Sequence, residues 1–186
     1  MSAIEILVDE HELISRMANI LTVLRKDLER GDQTNIDALN NVVGFFRVFV
    51  DENHHAKEET ALFPVLERHG VSIEGCTIQN RRSEHERGRE IMRTLADALM
   101  EYKRGDSMVS SKICTALRGT VDLYKDHIWR ENILLFPAGE KVLQKSEQRD
   151  VTKAFGVIEE RFGTGFRAKY EGLVDALDKT AASRLT

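Results

Sequence analysis

The sequence predicts an all-α protein, an antiparallel up-down-up-down four-helix bundle with a C-terminal helical extension. Three observations carry that expectation. Apolar residues recur at helical spacing along most of the chain. Its 186 residues include only two prolines and 12 glycines, so few positions break a helix. A pattern of histidine, glutamate and Leu-Phe-Pro also occurs twice, about 74 residues apart, which pairs helices one and two with helices three and four.

Helix one covers residues 3 to 29. Ile4, Leu7, Leu13, Ile14, Met17, Ile20, Leu21, Leu24 and Leu28 keep the spacing of one apolar face, and Gly31-Asp32 ends it. Asp32 or Thr34 is the expected cap of helix two, which runs from about 35 to about 68 on Ile36, Leu39, Val42, Phe46, Phe49 and Val50. Pro64 lies inside this helix and is expected to bend or weaken it. His69-Gly70 is its stop, where a histidine charge suits the helix C-terminus.

After a connector over 71–77, helix three spans about 77 to 103 with Ile78, His85, Gly88, Met92, Leu95 and Leu99 inward. Gly105-Asp106-Ser107 closes it and caps helix four, which reaches about Leu143 and carries Pro137 as the counterpart of Pro64. Residues 1–146 are thus expected to form the bundle domain. Residues 147–186 form the extension, two short helices broken at Gly163-Thr164-Gly165, packing on the bundle or on a second copy in a homodimer.

Composition excludes several function classes. Net charge is −4 with no dominant basic cluster, which gives nucleic-acid binding no electrostatic support. No apolar run is long enough to span a bilayer, and the acidic start MSAIEILVDEHEL does not resemble a secretory leader. Cys76 and Cys114 are isolated and are read as two thiols in a reduced cytoplasm.

The repeat carries the chemistry. HHAKEETALFP runs from His54 to Pro64, and HIWRENILLFP from His127 to Pro137. In each, a histidine precedes a glutamate by four positions, which sets both on one helical face a turn apart. Glu10-His11-Glu12 recurs as Glu84-His85-Glu86, with His11 43 residues before His54 and His85 42 before His127. Inward groups from four helices can converge at one depth, bringing four imidazoles and two carboxylates together. That donor set suits two divalent ions, iron or manganese, with the carboxylates bridging. The histidine-first order and the excess of histidine separate it from the Glu-x-x-His sites of ferritin-type bundles.

Over about residues 5 to 140 the pattern resembles the hemerythrin-like (HHE cation-binding) family, in its bacterial and archaeal branch. The resemblance implies a carboxylate-bridged diiron centre held by His11, His54, Glu58, His85, His127 and Glu131. Two iron ions, open to an oxo or hydroxo bridge, rank ahead of manganese or zinc. Oxygen-carrying hemerythrins have an extra histidine one turn before the third-helix ligand, and Arg81 stands there in this chain. Fewer protein ligands leave positions open for dioxygen, nitric oxide or peroxide.

His55 and Glu59 are also four apart, but aligning the two Leu-Phe-Pro segments selects His54 and Glu58. His55 then turns about 100° away, beside the site or at the surface. Tyr124 and Gly88 lie near the metals or simply in the core. Phe63 and Phe136 cap the core, Trp129 faces the extension, and the run Glu52–Glu59 and the arginines at 81, 82, 87 and 89 form a solvated face. The function expected is binding of dioxygen or nitric oxide as sensor, carrier or scavenger. The alternatives are an enzyme consuming peroxide or nitric oxide, and iron storage or donation for iron–sulfur repair.

Overall fold

A computed structural model describes residues 1–31 and 35–182, and all regular structure among them is helical. α1 is Ala3–Glu29, started by a capping box in which the Ser2 hydroxyl accepts from Glu5 N–H and the Glu5 carboxylate accepts from Ser2 N–H. The caps expected at Asp32 and Thr34 lie outside the described residues. Asn35 caps the second helix instead, its side chain accepting from Ala38 N–H.

The second helix, α2, runs without interruption over residues 36–68. It is α-helical at Ile36–Gly44, π-helical at Phe45–His55 and again at Glu58–Leu62, then α-helical at Phe63–Arg68. α3 is Ile78–Lys103, capped by the Thr77 side chain. α4 covers 110–142: α-helical at Ser110–Arg130, π-helical at Glu131–Leu135, α-helical at Phe136–Val142. A 3-10 turn at Ser107–Val109 precedes it, and Asp106 accepts from Met108 N–H. α5 is Lys145–Glu160 and α6 is Phe166–Ala182, separated by Gly163 and Gly165 at φ +76° and +83°, a conformation that favours glycine.

The prolines do not break α2 or α4. Each follows a π-turn closed by the same bond: Phe63 N–H donates to the Glu58 carbonyl, and Phe136 N–H to the Glu131 carbonyl. Proline has no N–H for the carbonyl four residues back, so a wider turn just before it loses little. Leu-Phe-Pro therefore marks where the backbone widens beside each glutamate.

α1 packs on α4, α3 on α4 and α2 on α3, closing the four-helix bundle. Two apolar clusters fill it. One holds Met17, Phe46, Phe49, Leu95 and Leu117, and the other holds Leu7, Leu62, Phe63, Leu135 and Phe136. On every helix the histidine and glutamate positions fall between the two clusters. A fully buried phenylalanine such as Phe49 contributes about 1.5–3 kcal/mol of transfer free energy.

α5 and α6 pack against α1. Tyr170 and Val174 of α6 join the first cluster, with the Tyr170 ring 5.4 Å from that of Phe49. Lys57 on α2 contacts Glu159 on α5 at 2.6 Å. No helix among the described residues is long and apolar enough to cross a membrane. Cys76 and Cys114 are free thiols.

Candidate metal centre

The six residues singled out in the sequence meet between the two apolar clusters, each at most 2% exposed. Donor atoms of His11, His54, Glu58 and Glu131 lie within 4.8 Å of one another, and so do those of Glu58, His85, His127 and Glu131. The two groups share both glutamates. Glu131 Oε2 lies 3.2 Å from His11 Nε2 and 3.1 Å from His127 Nε2, so this carboxylate faces both halves. Glu58 does the same, Oε1 3.8 Å from His54 Nε2 and Oε2 3.3 Å from His85 Nε2.

The far side of each imidazole is fixed by an oxygen acceptor. His54 Nδ1 donates to Glu10 Oε2 at 2.9 Å, and His127 Nδ1 to Glu84 Oε2 at 2.8 Å. His11 Nδ1 donates to Asn132 Oδ1 at 2.8 Å, and His85 Nδ1 to Glu59 Oε1 at 2.6 Å. A carboxylate only accepts, so the proton stays on Nδ1 and the Nε2 lone pair points inward. This outer ring obeys the internal twofold. Glu10 and Glu84 open the two Glu-His-Glu segments, and Glu59 and Asn132 each follow a site glutamate. The sequence carried this signal, but its use for the ring nitrogens was missed. The Leu-Phe-Pro rings repeat too: Phe136 stacks 5.4 Å from His11, and Phe63 5.9 Å from His85.

The donor set fits a cation and little else. His11 Nε2 and His54 Nε2 are 3.1 Å apart with both protons committed elsewhere, so two lone pairs oppose each other. Both oxygens of Glu58 and of Glu131 lack a hydrogen-bond partner among the described residues. Burying carboxylates this way costs several kcal/mol unless a cation compensates. Protons do part of that work. Burial, then the charge of Glu131, holds the Glu58 carboxyl well above the usual range. Glu131 stays ionised against its own burial because His127 and His11 face it. His127 is raised to about 9, since Glu131 and Glu84 outweigh its burial. Burial lowers His54 to about 4, leaving its ring neutral. Glu10 falls to about 2: burial opposes the charge, but the His54 hydrogen bond and the Lys57 ammonium favour it.

Several expectations need correction. Of the two places open to His55, the structure selects the one beside the site: it is 1% exposed. The turn that separates it from His54 points it at α3 and α4, where its ring stacks on His85 at 3.7 Å. Lys57 and Arg81 are fully buried rather than solvated. Arg81 donates to Glu84 at 2.8 Å and approaches His127 Nδ1 at 3.5 Å, so it steadies that carboxylate. Arg89 is half-buried and joins Asp51 to Glu59. Trp129 is 56% exposed and lines a cleft between α1 and α4, to which α5 and α6 contribute nothing.

Tyr124 separates two clefts. One, of about 350 Å³, is lined by Asp51, His55, Gly88, Arg89 and Tyr124 among others; the second includes Ala18, Ile128 and Asn132. A Cβ on Gly88 would stand 2.8 Å from the Tyr124 hydroxyl and 3.5 Å from its Cζ. Gly88→Ala alone is expected to cost about 1–2 kcal/mol through that overlap. In a Tyr124→Phe background the oxygen is gone, and the same change is expected to be neutral or to gain about 0.5–1 kcal/mol of helix propensity. Urea unfolding of the four proteins measures the coupling, and additive effects would contradict the contact.

A buried cage of imidazoles and carboxylates, drawn from all four helices, defines a cation-binding helical bundle. The comparisons give the class its family: residues 2–139 match the hemerythrin HHE cation-binding domain, and the chain belongs to that family. It is also similar to uncharacterized protein Rv1995 of Mycobacterium tuberculosis and uncharacterized protein Mb2018 of Mycobacterium bovis. Each is 27% identical over 176 residues, covering 94% of this chain and 68% of the relative.

Proposed function

We propose that the chain is a non-heme diiron protein that binds dioxygen or nitric oxide as a sensor, carrier or scavenger. The observation that carries this is the sharing of Glu58 and Glu131 between the two four-residue groups. His11 and His54 would hold one ion, His85 and His127 the other, and the two carboxylates both. Mixed imidazole and carboxylate donors suit iron and manganese, and the proposal takes iron. Four protein donors per ion leave positions for a small exogenous ligand, and the bound pair would supply electrons to such an oxidant.

The chain's own residues do the rest. Glu10, Glu59, Glu84 and Asn132 hold the imidazole tautomers. Phe63 and Phe136 cover the cage and exclude water from the Leu-Phe-Pro end. Burial keeps the Tyr124 phenol protonated, so it remains a hydrogen-bond donor where the two clefts meet.

Reduced, iron-loaded protein mixed with dioxygen or nitric oxide in an anaerobic stopped-flow instrument is expected to develop a charge-transfer absorption. A stable, reversible band supports a carrier or sensor, and decay with repeated turnover moves the protein to the enzyme alternative. No change with either gas contradicts the proposal.

A further inference from the structure

His55 is the group that the six-residue cage leaves over. Its ring is 1% exposed, and its Nε2 has no hydrogen-bond partner among the described residues. A buried acceptor left without a partner is destabilising. Its Nδ1 faces Asp51 Oδ1 at 3.3 Å, and Arg89 Nε holds that carboxylate at 2.7 Å. The proton therefore sits on Nδ1 and the lone pair on Nε2. His54, His85 and His127 show the same arrangement, each with a carboxylate at Nδ1. His69 does not: it is partly exposed and meets Glu147 through Nε2.

The rings of His55 and His85 are stacked with planes 10° apart, and His127 stands edge-on with its centroid 6.0 Å from that of His55. The His55 ring has to turn out of this stack for its in-plane lone pair to meet an ion on His85. Ring nitrogens of His55, His85 and His127 lie within 4.8 Å of one another, all three residues buried. Imidazole nitrogens gathered at that distance are a donor set for a borderline metal ion, which displaces any proton they carry.

We propose that His55 is a seventh metal ligand, binding through Nε2 the ion held by His85 and His127. The two ions are then unequal. One has three histidines and the other has His11 and His54, with Glu58 and Glu131 common to both. Open positions concentrate on the ion of His11 and His54. The cleft at Gly88 ends on a filled position, and the cleft that reaches Asn132, the partner of His11, becomes the route for a small ligand.

This assignment rests on the two-metal proposal, and the test separates the two. Iron content is measured first, and fewer than two irons per chain overturns the two-metal proposal and the assignment with it. With two irons present, proton NMR of the diferrous protein in water counts the strongly shifted, solvent-exchangeable Nδ1–H signals, one for each iron-bound imidazole. Five are expected in the wild type, and four would overturn the assignment without touching the two-metal proposal. His55→Phe keeps a ring to stack on His85 but has no nitrogen. It is expected to remove one signal and weaken the second ferrous ion at least tenfold, about 1.4 kcal/mol. Unchanged affinity and an unchanged signal count in His55→Phe would show that the ring only packs.

Discussion

Glu58→Gln is expected to act in opposite directions on the metal-loaded and the metal-free protein. With metal, the substitution removes a carboxylate that faces both halves of the cage, and iron content should fall from about two per chain to well below one. Without metal, the same change should stabilise the fold. Glu58 is 0% exposed, and burial together with Glu131 holds its pKa well above the usual carboxylate range. A carboxyl whose pKa is raised in the folded state costs nothing below the unfolded pKa, and it lowers stability progressively as pH rises from the unfolded pKa to the folded one. Keeping it protonated costs about 1.4 kcal/mol for each pH unit above the unfolded value. Glutamine carries no such cost. The metal-free variant should gain about 1–3 kcal/mol at pH 7, or about 2–4 °C in Tm per kcal/mol. The gain should vanish near pH 4. Thermal unfolding with a chelator present, run at both pH values, checks the sign. A metal-free variant no more stable than wild type at pH 7 would contradict the cage electrostatics.

Lys57→Met carries the largest stability loss expected outside the apolar core. Lys57 is fully buried between Glu10, which its ammonium contacts, and Glu159 of α5. Glu10 is 2% exposed and also accepts from Asn53 and from the site residue His54. Methionine fills the space but leaves the Glu10 charge without its cation. Breaking one partner of a buried pair costs about 3–5 kcal/mol. The double change Lys57→Met with Glu10→Gln removes the stranded charge and should recover most of the loss. Urea unfolding of both variants tests this. A loss under about 1 kcal/mol for Lys57→Met, or no recovery in the double variant, would contradict it. The chain of contacts Glu159, Lys57, Glu10, His54 also means that the extension reaches the site electrostatically as well as by packing.

What was legible in the sequence depended on repetition and on periodicity. The bundle followed from apolar spacing and from the scarcity of glycine and proline. The convergence of His11, His54, Glu58, His85, His127 and Glu131 followed from two copies of one pattern. The Leu-Phe-Pro alignment selected Glu58, which the structure sets in the cage, over Glu59, which it sets behind His85.

The misplacements share a physical cause. A helical angle says how far His55 turns from His54 but not what lies in that direction, and α3 and α4 fill it rather than water. Arg81 and Lys57 look like surface charges until the carboxylates that pair with them are found, Glu84 partly buried beside Arg81 and Glu10 buried beside Lys57. Prolines 64 and 137 were expected to bend or weaken their helices, because proline strains an α-helix interior, and a π-turn ending at each one accommodates them. Trp129, two residues after His127 and so turned away from the site, was expected to face the extension, but the extension docks on α1 instead.

The proposed centre is one cage for two metal ions joined by shared carboxylates. Anaerobic ferrous titration of the metal-free protein, followed by Mössbauer and magnetic measurements on the oxidised product, tests it most directly. Saturation at two irons per chain is expected, with the spins of the pair coupled. Saturation at one metal per chain, or two irons with no magnetic coupling, would contradict it.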